Sequence, residues 1–195
     1  MEYETTDVII CGGGPTGIMI SAYLGRSSVS SIVLEREPDI TTDPRGIALD
    51  EEGIRLLQGL GLYEKIFTDI GRCMGRFNFV GGTSKTLTTK PFMSMNYNTS
   101  EGGTGHPGFM SHKQPLIEKN LREAAASTGH AELRPQSTVV SIREDADWVY
   151  VTYTNATGKA CTLRSKFMVG SDGKTGFTRK KYLEAKGILM EQASQ

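Results

Sequence analysis

Cysteine is scarce, with three in 195 residues. Cys11, Cys73 and Cys161 stand far apart and no CxxC pair occurs. An odd count at such spacing excludes a disulfide framework and provides no thiolate set for zinc. The three read as small apolar fillers in a reducing compartment. Histidine is as rare, and His106, His112 and His130 share no ligand spacing, so no metal site is expected. Net charge is absent too: 22 basic residues balance 22 acidic ones. That excludes bulk attraction to nucleic acid or an anionic membrane. No apolar run approaches the ~20 residues of a membrane span. The opening Met1 to Asp7 is polar and acidic, so no secretory signal is expected and the location expected is cytoplasmic. Without such a signal, Asn98-Thr99-Ser100 and Asn155-Ala156-Thr157 are chance matches to the glycosylation pattern. Internal repeats and low-complexity tracts are missing as well.

What is present is ordinary globular composition, 37% hydrophobic and 23% charged, at a length that suits one domain or one and a half. Asp7 to Cys11 is a short apolar run ending in glycines, the pattern of a buried parallel strand. Gly17 to Arg26 has helical spacing, with Ile18, Ile20, Ala22 and Leu24 available for packing. Ser31 to Glu35 is a second buried strand, completing the size of one βαβ unit. Glu37 to Leu49 reads as loop, and Asp50 caps a helix through Leu57 whose pattern resumes over Leu62 to Ile66. Phe77 to Val80 and Lys85 to Thr89 read as a hairpin about Gly81-Gly82. Ser100 to Gly108 is loop. Pro115 to Ala126 is a helix with the apolar stripe Leu116, Ile117, Leu121, Ala125. Strands Ser137 to Arg143, Trp148 to Tyr153 and Lys166 to Gly170 follow, the first two as a meander. A βαβ opening with a later antiparallel patch makes the class α/β with mixed sheets.

Gly12-Gly13-Gly14-Pro15-Thr16-Gly17 contains G-x-G-x-x-G directly after a strand and at the start of a helix. Gly12 permits the tight turn, Gly14 keeps side-chain bulk away from a pyrophosphate, and Gly17 lets helix and strand approach. The helix N-terminus, beginning at Pro15 and Thr16, offers N–H groups and a positive dipole end to phosphate. Glu35, about 20 residues on at the end of the second strand, stands where an acid accepts hydrogen bonds from a ribose diol. It would repel a 2′-phosphate, which disfavours NADP in this site. Arg36 adjoins it and is counted with it among the expected cofactor contacts. The fingerprint itself leaves NAD and FAD both open.

Three further segments resemble the flavin-dependent aromatic hydroxylases, the single-component monooxygenases of the para-hydroxybenzoate hydroxylase type. Asp43-Pro44-Arg45-Gly46-Ile47 is similar to the loop whose arginine contacts the flavin side of the cofactor. Gln114-Pro115-Leu116-Ile117-Glu118 resembles the helix start whose glutamine touches FAD. Met168-Val169-Gly170-Ser171-Asp172-Gly173, followed by Arg179, resembles the Asp-Gly motif whose aspartate is tied to FAD and NADPH binding. The family often has serine where Gly176 stands. Order and spacing agree from Asp7 to about Ile188.

The resemblance implies FAD as cofactor and NADPH or NADH as co-substrate. It implies O2 and a small aromatic compound, phenolic or otherwise, as reactants, with His112 an outside candidate for the substrate side. The flavin carries such chemistry, so no catalytic side chain of the protein is expected. The implied fold is a Rossmann-like FAD-binding βαβ with a central parallel sheet, plus a partial mixed or antiparallel substrate-domain layer. The hairpin and meander are expected to form that separate layer. The expected divisions are 1–75 for the βαβ and following helices, and 76–110 for the hairpin and loop. Helix, meander and Asp-Gly motif occupy 111–182, and 183–195 is a tail. Members of the family carry a later Gly-Asp motif over the ribityl and pyrophosphate, and no Gly-Asp dipeptide occurs here. The chain is therefore expected to be the N-terminal portion of such an enzyme, with independent catalysis in doubt. Two rivals stay open: a non-catalytic FAD-binding remnant or interaction module, and an NAD-dependent dehydrogenase. The oligomeric state is left open.

Overall fold

The computed structural model describes residues 3–42, 48–82, 88–97 and 105–190. The elements run β1 (Glu4–Cys11), α1 (Pro15–Arg26), β2 (Ser31–Leu34), β3 (Ala48–Asp50), α2 (Glu51–Gly59) and α3 (Tyr63–Lys65). Next come a π-helical turn at Ile66–Ile70, then β4 (Gly71–Cys73), β5 (Arg76–Phe79), β6 (Met93–Asn96) and β7 (Phe109–His112). The last elements are α4 (Gln114–Ser127), β8 (Ala131–Arg134), β9 (Thr138–Glu144), β10 (Val149–Thr154) and β11 (Ala160–Gly170). A π-helical Thr178–Leu183 and a short 3-10 turn at Glu184–Lys186 follow. The chain divides into two compact units, Met1–Thr41 with Leu121–Gln195, and Thr42–Asn120, the division falling inside α4.

The first unit is built on a six-stranded sheet in the order β8-β2-β1-β11-β10-β9. β8, β2, β1 and β11 are mutually parallel, and β10 and β9 join antiparallel. Val8 to Cys11 and Ser31 to Leu34 are buried throughout, which is why both strands are continuous apolar runs rather than alternating ones. The buried face of α1 is Gly17, Ile18, Ser21, Ala22 and Gly25, while Ile20 and Leu24 are half-buried. Positions spaced by two cannot share one side of a helix; positions spaced by three and four can. The face is made of small residues, so the helix lies close to its neighbours: a Cβ on Gly25 would stand 2.3 Å from Thr128 Oγ1. Ser21 and Ser31 satisfy each other's buried hydroxyls at 2.8 Å.

The meander is not a separate layer. β11 is 11 residues long and serves two partners, pairing Ala160–Ser165 with β10 and Leu163–Gly170 with β1. Its earlier half alternates with polar residues and so escapes a search for apolar runs. Val151, Tyr153 and Leu163 pack in one cluster with Ile9, Cys11, Ile32 and Leu34. β8 is also absent from the sequence expectation, because two of its four residues, Glu132 and Arg134, are charged.

In the second unit, Asp50 caps α2 as expected, its Oδ1 accepting from Gly53 N at 2.8 Å. β7 lies between β3 and β4, antiparallel to both. β5 pairs with Met93–Asn96, further along the chain than the expected Lys85–Thr89; residues 83–87 lie outside the described residues, and Thr88 and Thr89 are not strand. Along α4, Ile117, Leu121 and Ala125 are buried at a spacing of four, while Leu116 falls off the stripe and is 36% exposed. Among the described residues no helix is long and apolar enough to cross a membrane.

Candidate functional site

Three backbone segments of the first unit meet at the carboxyl end of its parallel strands: the glycine turn after β1, the end of β2 and the turn after β11. Gly12 has φ +102°, a conformation that side chains rarely adopt. Its N–H donates to Leu34 O at 2.9 Å. A Cβ there would come within 2.5 Å of Ser171 O. Ser171 closes the contact from its side, donating its N–H to Cys11 O at 2.8 Å and its hydroxyl to Gly12 O at 2.9 Å. Gly17 is packed as tightly, since its Cβ would stand 2.0 Å from Gly12 O and 2.6 Å from Ser171 Oγ.

Gly14 is the contrast. A Cβ added there meets nothing within 4 Å. It is the N-cap of α1, with no side chain capping the helix and no acidic residue in the first turn. Pro15 stands at the first helical position and contributes no N–H, so the donors left over belong to the residues that follow, beginning with the exposed Thr16. A rigid turn, an open space at its apex and an uncapped helix N-terminus together fit a pyrophosphate.

Glu35 lies against this turn. Its Oε2 accepts from Gly13 N at 2.6 Å and its Oε1 from Glu37 N at 2.9 Å. Each carboxylate oxygen keeps a further acceptor direction, enough for a ribose diol. Gly13, only a spacer in the fingerprint, is thus a working member of the site: a Cβ would stand 2.9 Å from Glu35 Cβ. Arg36 points to solvent, 72% exposed, and pairs with Glu37 at 2.9 Å.

In the turn after β11, Asp172 Oδ2 accepts from Thr178 N at 2.8 Å and from Thr178 Oγ1 at 3.1 Å. Gly173 has φ +83° and its carbonyl accepts from Gly176 N at 3.0 Å. The departure from the family's serine has a steric reason here: a Cβ at Gly176 would come 2.2 Å from Asp172 Cγ. Arg179 braces the segment beyond, donating Nη2 to Met190 O at 2.5 Å. Cys11 is buried beneath, and burial together with the Asp172 carboxylate pushes its thiol up to about 12. Ser171 and Gly13 are only spacers in their motifs and Thr178 carries no sequence signal; they enter through their contacts to Gly12, Glu35 and Asp172.

The remaining sequence candidates lie elsewhere. Gln114 opens α4, in the second unit, its Nε2 donating to Glu118 Oε1 at 2.7 Å. His112 ends β7 in the same unit, and partial burial lowers its pKa, favouring the neutral ring. Arg45 and its loop, residues 43–47, lie outside the described residues.

Residues 5–188 match the model of the family described as FAD binding domain. The chain is 34% identical over 178 residues to a probable NADH-specific resorcinol 4-hydroxylase of Rhodococcus jostii, across 91% of this chain and 32% of that protein. It is 34% identical over 186 residues to 3-(3-hydroxy-phenyl)propionate/3-hydroxycinnamic acid hydroxylase 1 of Burkholderia vietnamiensis, across 91% of this chain and 28% of that one. The fold matches that of p-nitrophenol 4-monooxygenase PnpA of Pseudomonas putida, with a TM-score of 0.81 at 24% identity, covering 92% of this chain and 44% of that one. Anhydrotetracycline hydroxylase OxyS of Streptomyces rimosus aligns with a TM-score of 0.73 at 28% identity, covering 90% of this chain and 33% of that one. The chain spans about a third of the length of the curated relatives it matches.

Proposed function

The chain belongs to the FAD binding domain family, and from that premise we propose that it is the FAD-binding N-terminal portion of an NAD(P)H-dependent monooxygenase that hydroxylates a phenolic or other aromatic compound. The observation that carries this reading is the cradle at Gly14, open at its apex and locked on both flanks by the Gly12, Gly17 and Ser171 contacts. In it, the first-turn N–H groups of α1 from Thr16 onward hold the pyrophosphate, with Pro15 setting the helix start. Glu35 accepts from the adenosine ribose and Arg36 borders it. Asp172 and Gly173 shape the turn that faces the cofactor, and the motif resemblance assigns Gln114 and Arg45 to its flavin side. FAD, when bound, supplies the transfer of electrons from NADH or NADPH to O2 and of one oxygen atom to the ring. The protein's own groups bind, orient and shield; none is assigned a proton transfer.

The aromatic substrate class is supported by the names of the relatives, which hydroxylate resorcinol and hydroxyphenyl acids, and NADH by one of them. A cytoplasmic location fits this small-molecule chemistry. The test is FAD titration followed by flavin fluorescence and visible absorbance, in the natural chain and in Gly14→Val. Gly14 has φ −71° and open space, so valine is accommodated by the fold and fills only the cradle. A loss of tenfold or more in FAD affinity, with unchanged circular dichroism, is expected. Equal affinity in the two proteins overturns the assignment.

A further inference from the structure

Glu35 is held by more than its own carboxylate. Its backbone N–H donates to Arg134 O at 3.0 Å and its carbonyl accepts from Ser137 N at 2.8 Å. Two residues on, Glu37 O accepts from Gln136 N at 3.3 Å. The turn from Arg134 to Ser137, which joins β8 to β9, therefore grips the end of β2 on both sides of the acid. Within that turn Gln136 has φ +51°, in the left-handed region. A glutamine does not favour that conformation, so the surroundings impose the shape of the turn.

Arg134 is the residue best placed to impose it. Its side chain is only 18% exposed. The guanidinium forks onto Glu4 at the start of β1, Nη1 reaching Oε2 at 3.0 Å and Nη2 reaching Oε1. Nε donates to Glu132 Oε1 at 2.7 Å, and Nη1 also donates to the Tyr153 hydroxyl at 2.9 Å. One planar group thus ties β8 to β1 and to β10 at the residue where the turn begins. A lysine could not reproduce the fork.

We propose that Arg134 is a positioning residue for ribose recognition: its clamp on Glu4 and Tyr153 fixes the Arg134–Ser137 turn, and the backbone of that turn aims the Glu35 carboxylate at the adenosine hydroxyls of bound FAD. This rests on the assignment of Glu35 to the ribose. The carboxylate already spends one direction of each oxygen on Gly13 and Glu37. Only the remaining directions can meet a diol, and hydrogen bonds weaken steeply with misalignment. A small tilt of the β2 end is enough to lose them.

The experiment uses the full chain and two probes, ADP and 2′-deoxy-ADP, with affinities measured by calorimetry. The natural chain is expected to prefer ADP about tenfold, the worth of one hydroxyl donated to a charged acceptor. Arg134→Met keeps the apolar stem and removes the fork, and the preference is expected to fall to about threefold or less. A role confined to stability would weaken both probes alike; an unchanged preference in Arg134→Met overturns the proposal. Should that variant fail to fold, Tyr153→Phe and Glu4→Gln each remove one side of the clamp. A lowered preference in either supports the clamp, and an unchanged preference in both overturns it. A natural chain that binds the two probes equally overturns the assignment of Glu35 itself, an outcome distinct from failure of the clamp.

Discussion

Gly14 and Gly17 differ in what surrounds them, so the same substitution should give different results at the two. At Gly17 a methyl group would stand 2.0 Å from Gly12 O and 2.6 Å from Ser171 Oγ. The first is backbone, fixed by the Gly12-to-Leu34 hydrogen bond and by the Ser171 hydroxyl, and cannot swing aside as a side chain would. Overpacking of this kind costs about 1–3 kcal/mol, occasionally more. Alanine's better helix propensity returns up to about 1 kcal/mol. Backbone against backbone places the overpacking at or above its upper end, so a net loss of about 2–3 kcal/mol is expected. For a chain of this size that is roughly 5–10 °C in Tm. At Gly14 the methyl group meets nothing within 4 Å and φ is −71°. Gly14→Ala should be nearly neutral, because the gain of about 0.4–1 kcal/mol through the unfolded chain is offset by a cost of similar size for alanine in place of glycine at the N-cap. Both positions lie in the same compact unit, so urea and thermal unfolding followed by circular dichroism compare them within one transition. If Gly17→Ala unfolds at the same temperature as the natural protein, the interlock of the two turns does not exist in solution. If Gly14→Ala loses more than about 1 kcal/mol, the apex is not open.

Three further outcomes follow. The Cys11 thiol, buried and pushed up to about 12, stays protonated at neutral pH. Iodoacetamide at pH 8 should label the partly exposed Cys161 well before Cys11 by peptide mass spectrometry, and native-state labelling of Cys11 at the faster rate would contradict the packing. Arg134 holds the Glu4 carboxyl below its ordinary value of 4.5. A depressed folded-state pKa contributes stability above the unfolded value and loses it as pH falls through the folded value. The gap in urea midpoint between the natural chain and Glu4→Gln should therefore be full at pH 6–7 and close on acidification below about pH 4; a gap independent of pH would show that the ion pair is not its source. Gly176→Ser, which restores the family's commoner residue, should destabilise this chain, because the new Cβ falls 2.2 Å from Asp172 Cγ. Unchanged thermal stability in that variant would mean that the Asp172 turn opens freely.

The parts of the fold legible in the sequence are those whose chemistry is local. Gly12, Gly14 and Gly17 show at once because each answers a demand of backbone geometry that only one residue type meets. The second strand and Glu35 follow from their distance to that turn. What could not be read is long-range. β8 is disguised by Glu132 and Arg134, charges that make sense only once Arg134 meets Glu4 and Tyr153 from other strands. The position of the meander depends on which strand the long β11 joins, and register between segments so distant leaves no periodic trace. The buried face of α1 is not marked by hydrophobicity, since Ser21 and Gly25 are buried while Ile20 is half-buried.

These two kinds of information meet at Glu35. The fingerprint presents the acid as a ligand contact waiting for ribose, yet both of its oxygens already bind backbone N–H groups, one in the glycine turn and one just beyond β2. A carboxylate facing solvent would adopt several rotamers, and a ligand would have to select one of them, at about 0.5–1.5 kcal/mol per ordered side chain. Here that ordering is done in folding. One of these two hydrogen bonds holds Gly13, so the acid that meets the ribose also shapes the loop that meets the phosphates. Removing the carboxylate, as in Glu35→Ala, should therefore weaken ligands that lack ribose as well as those that have it: inorganic pyrophosphate should lose affinity alongside ADP. If pyrophosphate binding is untouched while ADP binding falls, Glu35 is a ribose contact alone and the loop keeps its shape without it.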